Sequence, residues 1–233
     1  MKLALIGHGA MGQLVESQAR EAGDEIGRIL TSRDMRGKLV ADLADPLKEH
    51  DVAIDFSVGD AVVTNVKACM RAGVPLVEGT TGWNQREDDV RRIVTEHSGA
   101  FIYGANFSVG VNIFYKVTAH AAQLMAKLDQ YEAFLEEQHH SRKRDVPSGT
   151  ALKLQRIMEE QLKVDVPVAS TRAGDIPGTH RVGFDSSADQ ITLTHMARSR
   201  AGFAAGALMA ARWIVGRKGI FQFSDVIDEI IEE

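Results

Sequence analysis

The sequence is poor in residues that define several classes of protein. It contains one cysteine, Cys69, five prolines and 6% aromatic residues. A single cysteine cannot form an internal disulfide, and the apolar helical pattern around it predicts a core position in a protein of the reducing cytoplasm. No segment approaches the roughly 20 apolar residues that span a bilayer. We therefore expect a cytoplasmic protein with no membrane partner.

An excess of positive charge is also missing. The formal net charge is -5, and because phosphate binding depends mainly on Lys and Arg, we expect no nucleic-acid partner. Hydrophobic residues make up 44% and charged residues 25% of the 233 residues. This composition is typical of a globular protein that is long enough for one large core or two smaller ones.

The N-terminal segment has the pattern of a dinucleotide-binding site. A short apolar strand is predicted over residues 2–6, the glycine-rich turn G-H-G-A-M-G covers 7–12, and a helical pattern follows over 13–22. Glycines in such a turn let a pyrophosphate approach the backbone at the N-terminus of the helix. A plain structural turn is the alternative, but strand, turn and helix occur in the order that a nucleotide site requires.

Alternating strands and helices continue through the first hundred residues. Helices are predicted over 60–72 and 85–97, and further strands over 25–30, 52–56, 75–77 and 100–103. This order predicts an α/β fold with a Rossmann-like, doubly wound parallel sheet. Active groups of such a sheet gather at the carboxyl ends of its strands.

Two of the strand ends carry candidate cofactor contacts. The second strand is followed by Thr31, Ser32 and Arg33 rather than by an acid that would bind a ribose 2′-hydroxyl, which favours NADPH or the use of both cofactors. An exposed loop residue is the alternative for Arg33. G-T-T-G at 79–82 offers glycines and hydroxyls to the nicotinamide or to the substrate, and a simple loop is the alternative there.

The pattern changes after residue 110 to that of a C-terminal α+β domain. A flexible loop is predicted over 171–178, and the strands alternate in a way that predicts a sheet with one exposed face. Helices are predicted over 111–128, 150–162 and 201–215, and strands over 131–137, 179–184 and 190–195.

Positive charge is concentrated in one segment of this second half. Residues 139–144 read H-H-S-R-K-R, and Ser-Gly-Thr at 148–150 begins a helical pattern. Free N–H groups at a helix N-terminus attract a carboxylate or phosphate, and the adjacent histidines and lysine can exchange protons. A solvated basic loop is the alternative.

With these motifs together, the sequence resembles the dihydrodipicolinate reductase family. The basic segment is the most specific part, and the similarity continues through 178–185, His195 and 203–207. The matching motifs are G-H-G-A-M-G at 7–12, D-F-S at 55–57, G-T-T-G at 79–82, A-N-F-S-V-G-V-N at 105–112 and H-H-S-R-K-R-D-V-P-S-G-T-A at 139–151.

The resemblance implies a homotetrameric enzyme of lysine and diaminopimelate biosynthesis. It implies reduction by NADPH or NADH of the cyclic dicarboxylate imine derived from 4-hydroxy-tetrahydrodipicolinate, giving tetrahydrodipicolinate. It further implies that residues 1–107 with 203–233 form the dinucleotide-binding domain, and that residues 108–202 form the substrate-binding and tetramerisation domain. No metal ion is expected.

The resemblance also assigns residues. His139 would be the general acid/base and Lys143 a proton donor. His140, Gly149, Thr150 and Thr81 would hold the substrate carboxylates. The expected cofactor contacts, with Arg33 added from its position after the second strand, are Gly7, His8, Gly9, Ala10, Met11, Gly12, Arg33, Phe56, Gly79, Thr80, Thr81, Ala105, Asn106 and Phe107.

These roles agree with the chemistry of imine reduction. A hydride added to an α,β-unsaturated imine leaves negative charge that a proton must neutralise, and the donor needs a pKa near the working pH. The unperturbed pKa of His is about 6.5, and neighbouring cations favour a lower pKa for Lys143. Arg142 and Arg144 receive no role.

Two other functions fit parts of the sequence. A dehydrogenase of another small carbonyl or imine substrate would share the N-terminal half but would not need the His-His-Lys segment. A non-catalytic protein that senses NAD(P)H would bind the cofactor without turnover.

Overall fold

The computed structural model describes residues 1–232, which divide into two compact units. The first contains residues 1–108 together with the described residues from 201 onward, and the second contains residues 109–200. Within residues 1–232 the strands are β1 (Lys2–Ile6), β2 (Glu25–Leu30), β3 (Val52–Asp55), β4 (Leu76–Glu78), β5 (Ala100–Tyr103), β6 (Glu132–His139), β7 (Val168–Arg172), β8 (Thr179–Asp185), β9 (Gln190–Met196) and β10 (Gly219–Gln222). The α-helices of the same residues are α1 (Ala10–Glu21), α2 (Ser32–Met35), α3 (Val40–Ala44), α4 (Val62–Ala72), α5 (Glu87–Glu96), α6 (Val109–Met125), α7 (Gly149–Leu162), α8 (Ala201–Ile214) and α9 (Phe223–Glu232).

The first unit is built on a six-stranded parallel sheet in the order β10-β5-β4-β3-β1-β2. Strands β3 and β4 are buried along their whole length, as expected for a sheet that helices cover on both faces. Helix α8 packs against α1 and against β3, β4 and β5. The predicted Rossmann-like α/β fold is therefore confirmed, and Cys69 is fully buried as predicted.

The second unit contains a four-stranded mixed sheet in the order β7-β6-β8-β9. β6 pairs with β7 in parallel and with β8 in antiparallel register, and β8 pairs with β9 in antiparallel register. Helices α6 and α7 pack on the sheet, and Leu135, Leu154 and Phe184 are buried between these layers. This arrangement confirms a separate α+β region in the second half.

Several element boundaries differ from the sequence prediction. The strand predicted over 131–137 extends to His139, so this histidine lies in β6 rather than in the basic loop. β7 was not predicted, and its last two residues fall in the segment expected to be a flexible loop. β10 and α9 were also missed. In residues 1–232, no helix is both long and apolar enough to cross a membrane.

Candidate functional site

A cavity of about 810 Å³ lies at the carboxyl ends of β1, β2 and β3 in the first unit. Its volume is in the range of small-molecule and cofactor sites. The lining residues are Gly7, His8, Gly9, Thr31, Ser32, Met35, Arg36, Lys38, Leu43, Phe56, Ser57, Val58, Ala61 and Thr64.

The glycine turn at the start of α1 suits a phosphate group. A Cβ on Gly7, whose φ is +85°, would lie 2.4 Å from the Phe56 carbonyl oxygen, and a Cβ on Gly12 would lie 2.2 Å from the Gly7 carbonyl oxygen. These two glycines are therefore required by the packing of the turn. A Cβ on Gly9 would meet no atom within 4 Å. Gly9 instead leaves open space at the helix N-terminus, which is where a dinucleotide pyrophosphate binds in this fold.

Apart from Arg33, the predicted cofactor residues lie at four neighbouring strand ends, those of β1, β3, β4 and β5. Gly7, His8, Gly9 and Phe56 line the cavity, whereas Ala10, Met11 and Gly12 form the first turn of α1. Gly79, Thr80 and Thr81 follow β4, and Ala105, Asn106 and Phe107 follow β5. These residues fit a nicotinamide dinucleotide, because they bring glycines and hydroxyls to one edge of the sheet.

The Phe56 ring connects these strand ends. It lies so close to Gly79 that a Cβ there would be 2.1 Å from ring atom Cε1. Its centroid is 6.3 Å from that of Phe107 in an edge-on contact. Phe56 therefore holds together the segments that follow β3, β4 and β5.

The end of β2 presents cations other than the predicted one. Arg33 is an exposed residue of α2 and does not line the cavity, whereas Arg36 and Lys38 do. The nearby Asp34 carboxylate accepts hydrogen bonds from Thr31 N (2.8 Å) and Thr31 Oγ1 (2.6 Å). These bonds hold the pKa of Asp34 below its usual range. Asp34 therefore caps α2, and the cavity lining contains no acid for a ribose hydroxyl.

In the second unit, His139 is buried at the end of β6 beside Glu137. The Nδ1 atom of His139 is in close contact with Glu137 Oε2, and Arg172 Nη2 donates to Glu137 Oε1 at 2.7 Å. Burial would raise the pKa of Glu137, but the Arg172 bond, the Ser170 side chain and the nearby His139 hold it below the ordinary value. An ionised carboxylate only accepts hydrogen bonds, so Nδ1 carries the proton and Nε2 of His139 is left for proton transfer.

Burial lowers the pKa of His139, although Glu137 partly opposes this shift. The imidazole is therefore neutral at neutral pH. Negative charge arriving beside Nε2 would favour the imidazolium form. The absence of a side chain at Gly178 leaves space for the His139 ring. A Cβ on this residue, whose φ is +145°, would lie 3.0 Å from His139 Nε2.

A second buried histidine, His180, lies next to His139. The two ring centroids are 5.1 Å apart, and Nε2 of His180 is 3.1 Å from Ser148 Oγ. Burial, followed by the charge of His139, lowers the pKa of His180 to about 4. His180 is therefore neutral at physiological pH and links the end of β6 to the start of α7.

The start of α7 faces open space. Ser148 is the N-cap, and its Oγ accepts from Ala151 N at 3.2 Å. A Cβ on Gly149 would meet nothing within 4 Å, and the Thr150 side chain bonds to the hydroxyl of Tyr115. The Gly149 N–H donates to the Asp145 carboxylate, so this open helix N-terminus already binds one carboxylate of the protein and suits a carboxylate of a ligand.

The basic segment separates into residues with different environments. Lys143 Nζ is 2.8 Å from Asp145 Oδ1 and is mostly shielded from solvent. His140 is half-buried, and its carbonyl accepts from Lys143 N at 3.1 Å. Arg142 pairs with Asp175 at 2.7 Å on the surface, and Arg144 is exposed. The interpretation of a solvated loop holds for the two arginines and is wrong for His139.

Glu137, His139 and His180 also present three possible metal ligands, with one atom of each within 4.8 Å of the others. However, Arg172 already neutralises Glu137, and a metal ion would compete with this guanidinium. Ion pairing and hydrogen bonding account for the cluster, so we assign no metal to it.

Three of these residues were missed in the sequence analysis. Glu137, Arg172 and His180 reach the site through strand pairing, since His139 pairs with Arg172 across β6–β7 and Glu137 with His180 across β6–β8. The spacing of Glu137 and His139 was a usable signal, because residues two apart on a strand share one face.

Comparisons with known proteins identify the family. The family model described as "Dihydrodipicolinate reductase, N-terminus" matches residues 1–107, and "Dihydrodipicolinate reductase, C-terminus" matches residues 110–227. The chain belongs to the dihydrodipicolinate reductase family. It is therefore an oxidoreductase whose N-terminal domain is a nucleotide-binding Rossmann domain, and reductases of this family use NADH or NADPH.

Individual relatives agree with this membership. The 4-hydroxy-tetrahydrodipicolinate reductase of Christiangramia forsetii is 38% identical over 251 residues that cover 100% of both chains. The enzyme of the same name from Archaeoglobus fulgidus is 35% identical and covers 98% of this chain and 100% of its own.

Solved structures agree at the level of the fold. The dipicolinate-bound dihydrodipicolinate reductase from Paenisporosarcina sp. TG-14 has a TM-score of 0.81 at 19% identity and covers 97% of this chain and 98% of its own. An oxidoreductase from Sinorhizobium meliloti has a TM-score of 0.56 at 9% identity, with 100% and 95% coverage.

Proposed function

We propose that this protein reduces the cyclic dicarboxylate imine derived from 4-hydroxy-tetrahydrodipicolinate to tetrahydrodipicolinate in lysine and diaminopimelate biosynthesis. The observation that carries the proposal is the buried Glu137–His139 pair beside the open N-terminus of α7. This pair can exchange a proton, and the helix can bind a carboxylate. Relatives named for this reaction match the chain over its full length.

We assign cofactor binding to residues 1–107 with 203–233, and substrate binding and tetramer formation to residues 108–202. The nicotinamide cofactor supplies the hydride when it is bound. The glycine turn at 7–12, Phe56, and the segments 79–81 and 105–107 hold it. This division agrees with the cavity in the first unit and the proton-transfer cluster in the second.

The second unit holds the dicarboxylate and provides the proton. One carboxylate is bound by the N–H groups of Gly149 and Thr150, where it replaces the Asp145 carboxylate, and the other by His140 and its neighbouring cations. His139 acts as general acid/base through Nε2, while Glu137 stabilises its imidazolium form. Lys143 is the proton donor to the reduced substrate.

The decisive assay mixes the protein with freshly generated 4-hydroxy-tetrahydrodipicolinate and follows the absorbance of NADH or NADPH. Turnover is expected with the wild type. His139→Gln and Lys143→Ala are expected to lower kcat by at least about 100-fold with little change in cofactor affinity. Cofactor binding without turnover by the wild type would support a sensing protein and contradict the proposed reaction.

We further propose that the enzyme prefers NADPH. Arg36 and Lys38 line the cavity at the end of β2, and the carboxylate of Asp34 is engaged with Thr31. A 2′-phosphate is favoured by such cations, and a 2′-hydroxyl is left without an acidic partner.

Replacing Arg36 tests this preference. Arg36→Ala is expected to raise KM for NADPH roughly 10-fold and to leave KM for NADH nearly unchanged, because only NADPH carries the phosphate. Arg33→Ala is the matched control, since Arg33 lies outside the cavity lining. Equal effects of Arg36→Ala on both cofactors would exclude this specificity role.

We propose a cytoplasmic homotetramer. The biosynthetic reaction and the fully buried Cys69 agree with a reducing compartment. One face of the β7-β6-β8-β9 sheet carries exposed Thr192, Thr194 and Met196 on β9, which is an edge strand. An open sheet face with a free edge is a suitable surface for association of identical subunits.

A further inference from the structure

Two carboxyl groups lie completely buried beneath the segments that border the cofactor cavity. Asp55 is the last residue of β3 and Glu78 the last residue of β4, which is the neighbouring strand. Both are 0% exposed. Buried acids without a cation are rare, because removing a charge from water is costly.

The surroundings of the pair contain no such cation. Within residues 1–232, no ion pair joins either carboxyl to a Lys, Arg or His. On α4 the titratable neighbour is Cys69, whose thiol is kept neutral by burial and by the two acids. Tyr103, beside Glu78 on β5, directs its hydroxyl to Glu87 at 3.1 Å. The only charged side chain of α8, Arg212, binds Asp24 at 2.6 Å.

Each acid fixes the segment that follows its own strand. Asp55 Oδ1 accepts from Ser57 N at 2.8 Å, and Glu78 Oε1 accepts from Thr80 N at 2.7 Å. The segments are also joined to each other, since Ser57 N donates to Thr80 Oγ1 at 3.0 Å. Asn65 Nδ2 donates to Asp55 Oδ2 at 2.6 Å. Asp55 is therefore surrounded by donors, as an ionised carboxylate requires.

Asp55 and Glu78 are directly paired across β3 and β4, and Glu78 Oε2 is buried without another hydrogen-bond partner. Two ionised carboxylates buried side by side without a cation would repel each other, so one of them carries a proton and can donate it to the other. Burial, followed by the charge of Asp55, raises the pKa of Glu78 well above its ordinary value. Burial also raises the pKa of Asp55, but hydrogen bonds from Ser57 and Asn65 oppose this shift, so Glu78 is the acid that keeps the proton.

We propose that protonated Glu78, hydrogen-bonded to ionised Asp55, positions the 56–59 and 79–82 segments for cofactor binding. Phe56, Ser57 and Val58 line the cofactor cavity, and the Phe56 ring packs directly on Gly79. A Cβ on Gly59 would lie 2.9 Å from the Gly82 carbonyl oxygen. Because the segments fit together this closely, losing the proton from Glu78 and creating a second buried charge displaces both. Glu78 is a positioning residue in this role, and the inference rests on the proposed cofactor site.

Two replacements of Glu78 of similar length distinguish the proton from the packing. Glutamine reproduces the protonated acid, because its Nε2 donates to Asp55 and its Oε1 accepts from Thr80 N. Glu78→Gln is therefore expected to keep the cofactor KM within about twofold of wild type at neutral pH. Glu78→Met loses both bonds and is expected to raise the cofactor KM roughly 10-fold with the substrate KM nearly unchanged.

The pH dependence gives a second readout. In the wild type the cofactor KM is expected to rise as the pH increases through the folded pKa of Glu78, and in Glu78→Gln this rise should be absent. The infrared band of a protonated carboxyl should be present in the wild type at neutral pH and missing in Glu78→Gln. The infrared measurement does not require activity, so it remains informative if Glu78→Met folds poorly.

Two results would overturn the inference. One is a Glu78→Gln variant as impaired as Glu78→Met, and the other is the absence of the carboxyl band from the wild type. Failure of the proposed function would look different, since the wild type itself would then not reduce the imine.

Discussion

Glu137 and His139 show how two residues on one strand are arranged for the proton transfer that we propose. They lie two positions apart on β6 and therefore on the same face. Arg172 keeps Glu137 ionised, and Glu137 in turn orients His139 through Nδ1. An imidazole ring held in this way can present only Nε2 to a substrate.

Removing the Glu137 charge tests this arrangement. Glu137→Gln is expected to lower kcat about 100-fold, because the imidazolium form of His139 loses its stabilising charge. The same change should lower the His139 pKa further and move the corresponding limb of the kcat/KM profile to lower pH. The control is Glu136→Gln, whose side chain is solvent-accessible and pairs with Arg181. Equal pH profiles for Glu137→Gln and wild type would contradict the role.

His180 predicts a dependence of stability on pH. Its folded pKa of about 4 lies below the unfolded value of 6.5, so between these values the unfolded chain binds more protons. Stability is therefore lost as the pH falls below 6.5, by about 2 kcal/mol between pH 7 and pH 5. Urea unfolding at the two pH values measures the loss.

The matched variants are His180→Gln and His120→Gln. His120 is an exposed residue of α6, so its replacement should leave the loss between pH 7 and pH 5 unchanged, whereas His180→Gln should reduce it. If His180→Gln lost as much folding stability as the wild type between pH 7 and pH 5, the pH dependence would belong to other groups.

At the scale of single residues, the sequence indicates candidate proton-transfer groups but not the residues that contact them. His139 and Lys143 stand in a segment that is unusual in composition. Arg172 and His180 are 33 and 41 positions beyond His139, and only strand pairing brings them near it. Pairing between distant strands depends on the whole sheet, so no local pattern indicates it.

At the scale of elements, two helix N-termini have corresponding tasks. Gly9 precedes α1 and Gly149 begins α7, and a Cβ at either glycine would enter open space. An alanine at each position is therefore compatible with folding. Its methyl group would nevertheless occupy the space through which an anionic ligand approaches the N–H groups.

These two glycines serve as controls for each other. Gly149→Ala is expected to raise the substrate KM roughly 10-fold and leave the cofactor KM unchanged, and Gly9→Ala should do the reverse. Steady-state kinetics with both ligands varied measures the four constants. If Gly149→Ala changed both KM values alike, the assignment of α7 to the substrate would be wrong.

Strands with a strong apolar run were predicted well, and two strands of mixed composition were missed. β1 and β5 have the predicted bounds because each is a compact apolar run beside a glycine. β7 reads V-A-S-T-R and β10 reads G-I-F-Q, and their mixed composition gives no apolar run and no clear period. Pairing with β6 and β5 makes them strands.

At the scale of the whole molecule, the exposed face of β9 predicts self-association. Thr192→Asp combined with Thr194→Asp places two charges on this face, and we expect them to lower the mass measured by light scattering from four copies toward one. Leu152→Asp is the control, because Leu152 is an exposed residue of α7. A double variant that stays tetrameric would place the interface elsewhere.

The first unit is assembled from two separate parts of the chain. α8 covers β3, β4 and β5, and β10 extends the sheet beyond β5. The second unit is one continuous segment between these parts. During synthesis, a nascent chain that has been translated through residue 200 therefore contains every residue of the second unit, whereas its nucleotide-binding sheet still lacks a strand and a covering helix. The order of translation thus allows the second unit to fold first, and the nucleotide-binding domain is completed only after α8 and β10 have been synthesised.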